Sequence, residues 1–367
     1  MKRQIPLLRG LAILAVVCNH ATGWGYIAMF WWAHRYRQVG PLPNYDQLGS
    51  LPYYGLIIIQ QLVLFSVPAF LFISGFFIAY AARGNPSMLS WRVVRARITN
   101  LLWPYLVWSL AIFVGDFLQG TSYSPVEYIR RLAAGKATGA YFFVPLLCQF
   151  YLLSPFIARW GKAKSGQLLL ASALIQWTVT GLVYLRLFGV VLPDIRRLSD
   201  WVFIWWASYF PLGVVCGFHL KLVRQWLSRF KWELLTATVA LGALSIIESE
   251  MLYNLTQDYG WARGVSKLST FLYAVAFILL FLAFDKISFP FTRTIDRIGI
   301  RSYGIYLLHP EVMEFAARVI YHIAPWLLAY QVLYQPVLVA SSMGIPLLFM
   351  AGVAKSPARK FYRYLFG

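Results

Sequence analysis

Apolar residues in this chain neither alternate with polar ones nor form a stripe beside a charged face. They run in blocks of about 17–25 residues, the length an α-helix needs to cross a hydrocarbon core of about 30 Å. Ten such blocks are predicted, at about 7–28, 54–82, 98–118, 140–158, 167–188, 201–219, 232–248, 267–285, 299–322 and 326–354. The division between the last two rests on Ala324-Pro325, which follows His322. No repeat divides the chain into halves, and no linker is long enough to set a second domain apart. Residues 1–367 are therefore expected to form a single all-α bundle of about ten transmembrane helices, with no appended soluble domain.

Composition narrows the class. The chain is 60% hydrophobic and 13% charged, whereas soluble domains carry about 25% charged residues. A soluble fold would have to bury many wholly apolar helices in one core. Trp24, Trp31, Trp32, Trp103, Trp201, Trp232 and Trp326 sit at the ends of apolar blocks, where interfacial belts favour amphipathic rings. A net charge of +20 would suggest nucleic acid for a soluble chain. Here the charge is spread over short loops that suit anionic lipid, so membrane lipid is the expected partner and nucleic acid is not. About two thirds of the basic residues fall on the side that ten crossings assign to both termini, which predicts cytoplasmic termini. Lys2 and Arg3 precede an apolar run without a small-x-small cleavage site, so that run reads as a retained first span. Cys18, Cys148 and Cys216 lie inside apolar runs and form neither a disulfide framework nor a CxxC site.

Against this apolar background, ionisable residues at depth stand out. Arg9 and His20 are eleven residues apart. At about 100° per residue that spacing returns to within roughly 20° of one helix face, with a rise of about 16 Å. His20 then lies near the midplane, facing either a cavity or a hydrogen-bond partner inside the bundle. The same counting from the nearest cytoplasmic arginine puts Ser74, Gln149 and His309 about 12–15 Å deep, with Glu311 slightly deeper. Five polar residues from four helices thus share one layer. Unrelated interhelical hydrogen bonds explain Ser74 and Gln149 well, and two His with a Glu less well. Pro310 frees a backbone carbonyl one turn before His309. Asp116 and Glu314 lie nearer the outer side, where they are open to a substrate or to solvent. Arg92, Arg95 and Arg97 precede the third span as topological anchors or as phosphate ligands. No metal-ligand spacing, GxSxG or phosphate-cradling glycine loop is present, so no metal is expected.

Five blocks in order resemble the acyltransferase-3 family of membrane acyltransferases. They are LRGLAILAVVCNH, with Arg9 and His20 at the family's Arg-x10-His spacing; VPAFLFISGFFIA, with Ser74-Gly75-Phe76; RARITNLLWPYLVW; YFFVPLLCQFYLLSPFI; and IGIRSYGIYLLHP, with Ser302, Tyr303, Tyr306 and His309. Phe142 or Phe143 stands where a Trp is common, and residues 165–265 carry no recognised block.

The resemblance implies transfer of an acyl group, often acetyl, from cytoplasmic acyl-CoA to a hydroxyl of a sugar, glycan or lipid-linked glycan. It implies location in the bacterial cytoplasmic membrane. His20 and Arg9 are then the catalytic pair, with His20 as general base or as transient acyl carrier. Arg9 meets the donor, with Arg95 and Arg97 on the CoA phosphates. Ser74, Gln149, His309, Glu311 and Asp116 are the candidates for substrate contact. The competing reading is a transporter or flippase for a glycan or lipid-linked sugar, which also uses buried polar residues. Transport has no particular need of the Arg–His spacing, and it expects repeated halves.

Overall fold

The computed structural model describes residues 4–83, 89–284 and 291–367, apart from the side chain at position 197. Lys2 and Arg3, named above, lie outside the described residues. Within them the chain is helical, with no strand. Helix α1 (Gln4–Tyr26) runs on through a π-turn at Ile27–Trp31. Next come α2 (Leu51–Val63), α3 (Ser66–Ala82), α4 (Trp91–Leu118), α5 (Pro125–Ala133), α6 (Phe143–Ala163) and α7 (Ser165–Leu187). Then follow α8 (Tyr209–Phe218), α9 (Leu220–Arg229), α10 (Lys231–Thr256), α11 (Tyr259–Arg263) and α12 (Leu268–Ala283). The last four are α13 (Thr292–Ile300), α14 (Ser302–Ile323), α15 (Gln331–Lys355) and α16 (Tyr362–Phe366).

Local chemistry places these boundaries. Ser50, Ser90 and Ser124 cap α2, α4 and α5 by accepting the backbone N–H of Tyr53, Arg92 and Glu127, which satisfies donors that a helix start leaves open. The second predicted block divides at Leu64–Phe65. Pro68 has no N–H to give the Leu64 carbonyl, so the helical ladder is interrupted there. The last two blocks divide as expected, with α14 ending at Ile323 and a 3-10 turn at Pro325–Ala329. Three short helices, α5, α9 and α13, occupy stretches outside the cores of the predicted blocks. Each mixes basic and apolar residues on opposite faces, the pattern of a helix lying along an interface.

Among the described residues, eight helical segments are long and apolar enough to cross a membrane. Helices α8 and α14, on the predicted blocks 201–219 and 299–322, are not among them: α8 is short, and α14 carries Glu311, Glu314 and Arg318. Both are nevertheless built into the bundle. A Cβ at Gly75 of α3 would collide with the Phe210 carbonyl of α8, and one at Gly213 with the Phe72 carbonyl of α3. The two backbones therefore touch, an approach that only small residues permit.

A second polar interior lies where α2 and α10–α12 meet. Lys267, fully buried, donates to Gln61 Oε1 at 2.6 Å. Arg263 reaches Glu250 at 2.5 Å, Tyr53 Oη at 2.7 Å and Ser249 Oγ at 3.0 Å. Arg263 is tolerated there because it is ion-paired, Lys267 is held by the neutral oxygens of Gln61 and Ser245, and the network ties these helices together.

Candidate active site

The site starts from two glycines. Gly10 of α1 faces the Ile295 carbonyl of α13, and Gly299 of α13 faces the Pro6 carbonyl of α1; a Cβ at either would clash. This contact seats the α13–α14 turn beside the start of α1. Ser302, the buried first residue of α14, accepts a hydrogen bond from Arg9 Nε at 2.7 Å.

From that bond a cavity of about 280 Å³ extends along α1 to His20. Arg9, Arg97, Asn100 and Ser302 supply polar lining towards one end. His20, about 16 Å from Arg9 along α1, lines it too, as do Ser74, Val16, Phe70 and Phe143. The Arg97 guanidinium stands 6.0 Å above the Tyr151 ring, a cation–π distance. Among the described residues, neither Arg9 nor Arg97 pairs with a carboxylate. Two uncompensated guanidinium groups make this end of the cavity attractive to anions. Tyr303 and Tyr306 line the cavity too, but each hydroxyl donates to a backbone carbonyl, of Leu101 and Ala140 respectively, at 2.5 Å. They tie α14 to α4 and to the stretch before α6.

His20 makes no hydrogen bond to protein among the described residues, and its ring centre lies 5.1 Å from that of His309. His309 is fully buried on α14. Its Nδ1 donates to the Tyr306 carbonyl at 2.8 Å, with the Ile305 carbonyl at 3.3 Å. Pro310 explains that bond. Lacking an N–H, it leaves the Tyr306 carbonyl four residues earlier without its helical donor, and the imidazole supplies one. A carbonyl only accepts, so the proton sits on Nδ1 and Nε2 keeps its lone pair. Nε2 is buried with no hydrogen-bond partner. An unmatched acceptor is thus held beside His20.

The cavity brings together Arg9, His20, Ser74 and Arg97, with His309 against His20. Four other predicted residues lie elsewhere. Arg95 is exposed on α4, outside the lining. Gln149 donates to the Trp201 carbonyl at 2.6 Å and accepts from the Phe203 N–H at 3.3 Å, so it satisfies the non-helical backbone leading to α8. Glu311 is exposed on α14, and Asp116 is half-buried on α4; neither lines the cavity. Asn100, Tyr151 and Phe366 are lining residues that the sequence reading did not single out. Asn100 is recoverable, since it stands three residues after Arg97 and so shares its helix face.

An all-helical bundle of membrane-length helices around a cavity-lining histidine, a second histidine buried beside it and an anion-attracting cavity defines a polytopic membrane protein with an internal site. The chain belongs to the acyltransferase-3 family: the family model, described as an acyltransferase domain, matches residues 3–351. It is similar to a Staphylococcus aureus (strain MSSA476) protein named "Probable poly-beta-1,6-N-acetyl-D-glucosamine export protein", at 24% identity over 262 residues, 70% of this chain and 71% of the relative. It is also similar to the Bacillus subtilis (strain 168) "Putative membrane-bound acyltransferase YfiQ", at 26% identity over 265 residues, 69% of each chain. No solved structure gives a significant match. The family and the helical bundle together make this an integral membrane acyltransferase.

Proposed function

We propose that the protein moves an acyl group, acetyl first among the candidates, from cytoplasmic acyl-CoA to a hydroxyl of a sugar or envelope-glycan acceptor at the bacterial inner membrane. In this reading both termini are cytoplasmic and the chain crosses the bilayer ten times, α8 and α14 included. The observation that supports it best is the polarity of the cavity. Unpaired guanidinium groups stand at one end, and an imidazole without a protein hydrogen bond stands about 16 Å further along α1. CoA has the matching polarity, with phosphates for Arg9 and Arg97 and a thioester at the far end of its arm.

The chemistry follows from His20. One ring nitrogen takes the acceptor hydroxyl proton as the oxygen attacks the thioester carbonyl. The C–O bond forms, the C–S bond breaks, and the departing thiolate receives the proton. His309 is assigned a positioning role: its Nε2, unpartnered in the structure, is the acceptor available to a His20 N–H when the reacting complex forms, and that bond would make the opposite nitrogen of His20 the base. Ser74 lies beside the reacting groups. Glu311 and Asp116, outside the cavity, are assigned in this reading to first contact with a polyhydroxylated acceptor. An acyl group carried transiently on His20 gives the same net reaction; label retained on protein after a rapid quench would mark that route.

The test is incubation of reconstituted protein with labelled acetyl-CoA and envelope extract. Label is expected on a base-labile glycan ester, and His20→Ala is expected to reduce it by about 100–10,000-fold while insertion and folding persist. Transfer by the variant at the wild-type rate would refute the assignment. The Staphylococcus relative's name favours a second reading, export of a glycan. Under that reading label stays on CoA while glycan crosses the membrane.

A further inference from the structure

The family-matched region ends at residue 351, within α15, and the stretch after α15 folds back onto the cavity. Ser356 caps a 3-10 turn at Pro357–Phe361, which leads into α16. The Trp108 indole of α4 donates to the Leu365 carbonyl at 2.8 Å. Phe366 packs against Trp108 and Phe349 with ring centres 6.5 and 5.8 Å away, and is 2% exposed. Gly304 of α14 lets it come this close, because a Cβ there would press on Met350 and Phe366. Phe366 and Gly367 then line the same cavity as Arg9 and His20.

One bond in this arrangement has chemical content. Arg363 donates to Asn100 Oδ1 through Nε at 3.2 Å and through Nη2. Guanidinium only donates, so it selects the amide oxygen and fixes which way the Asn100 amide points. The remaining polar group of Asn100, a cavity-lining residue, is its NH2, a donor. With Arg9 and Arg97 the Asn100 amide adds a third set of donors to this part of the lining, which suits a phosphate or pyrophosphate oxygen.

We propose that Asn100 is a donor-binding residue for the phosphate-bearing part of the acyl carrier, and that Arg363 on the 357–366 segment is its positioning residue, with Phe366 anchoring that segment as a cavity wall. The proposal rests on the acyl-CoA reading above. It adds to that reading a wall built from outside the family-matched stretch.

The experiment compares two thioesters, acetyl-CoA and acetyl-pantetheine, which lacks phosphate, with the full-length reconstituted protein. The readout is the ratio of their KM values. Asn100→Asp keeps the Arg363 contact as an ion pair, so the segment stays docked, but it replaces the NH2 donor with a negatively charged acceptor. It is expected to raise KM for acetyl-CoA relative to acetyl-pantetheine by about tenfold. Arg363→Ala frees the amide to turn and is expected to shift the ratio the same way by a few-fold, with recovery in Arg363→Lys. An unchanged ratio in Asn100→Asp overturns the proposal, as does an equal loss with both thioesters. Absence of transfer from either thioester by the wild-type protein would instead overturn the acyl-CoA reading on which it stands.

Discussion

Replacing Pro310 with alanine should make the protein more stable and slower, and the structure sets the size of both effects. A proline inside a helix costs about 3 kcal/mol relative to alanine. Part of that cost here is the Tyr306 carbonyl, which lacks its helical donor and instead accepts from His309 Nδ1 at 2.8 Å. In Pro310→Ala the new N–H competes for that carbonyl. A net protein hydrogen bond contributes about 0.5–1.5 kcal/mol. Losing that much bias lets the His309 proton move to Nε2, which removes the acceptor facing His20. At about 1.4 kcal/mol per factor of ten, acetyl transfer should slow by about 2–10-fold. The unfolding midpoint of the detergent-solubilised protein should rise. Single-turnover transfer from labelled acetyl-CoA and a thermal melt of the same preparation supply the two readouts. A variant that is more stable yet transfers at the wild-type rate would show that the freed carbonyl does not govern His309 in catalysis.

Three further outcomes follow. His20→Ala should reduce transfer by about 100–10,000-fold, the range for loss of a general base, with the melt unchanged. Arg97→Glu should raise the KM for acetyl-CoA at least tenfold, whereas Arg95→Glu, outside the cavity, should change it less than twofold; equal effects would place both arginines in the same role. Gly213→Ala should destabilise the fold by about 1–3 kcal/mol, the usual result of overpacking, because its Cβ meets the Phe72 carbonyl of α3. An unchanged melt would mean that α3 and α8 separate freely.

The helices were legible because lipid imposes one local rule, about 20 apolar residues per crossing. The breaks came from proline, legibly at Pro325 and less so at Pro68, whose effect falls four residues upstream. Block 201–219 was only partly helical. Its first half enters as irregular backbone and is tolerated at depth because Gln149 and Gln176 satisfy it, a form of protection that apolarity does not encode. In the site, counting rise along each helix gives depth but not direction around the axis. That is why His20, Ser74 and His309 converge while Gln149, at similar depth, turns to the 201–203 backbone. Arg95 and Arg97 differ for the same reason, since two residues turn a helix by about 200°. The Phe366 wall had no local signal, because it exists only through the packing of α16 on α4 and α14.

Helix α8 has ten residues, about 15 Å of rise and half of what a bilayer demands. Such a segment is too short to be accepted by the insertion machinery as an independent span. Its place against α3 must be taken after neighbouring helices are already in the membrane, with the glycine contact as the docking step. Biogenesis of this protein should therefore have a late stage, in which a half-length helix is recruited by protein rather than by lipid. Substitutions at Gly75 or Gly213 should be read first in assembly yield, before any effect on catalysis.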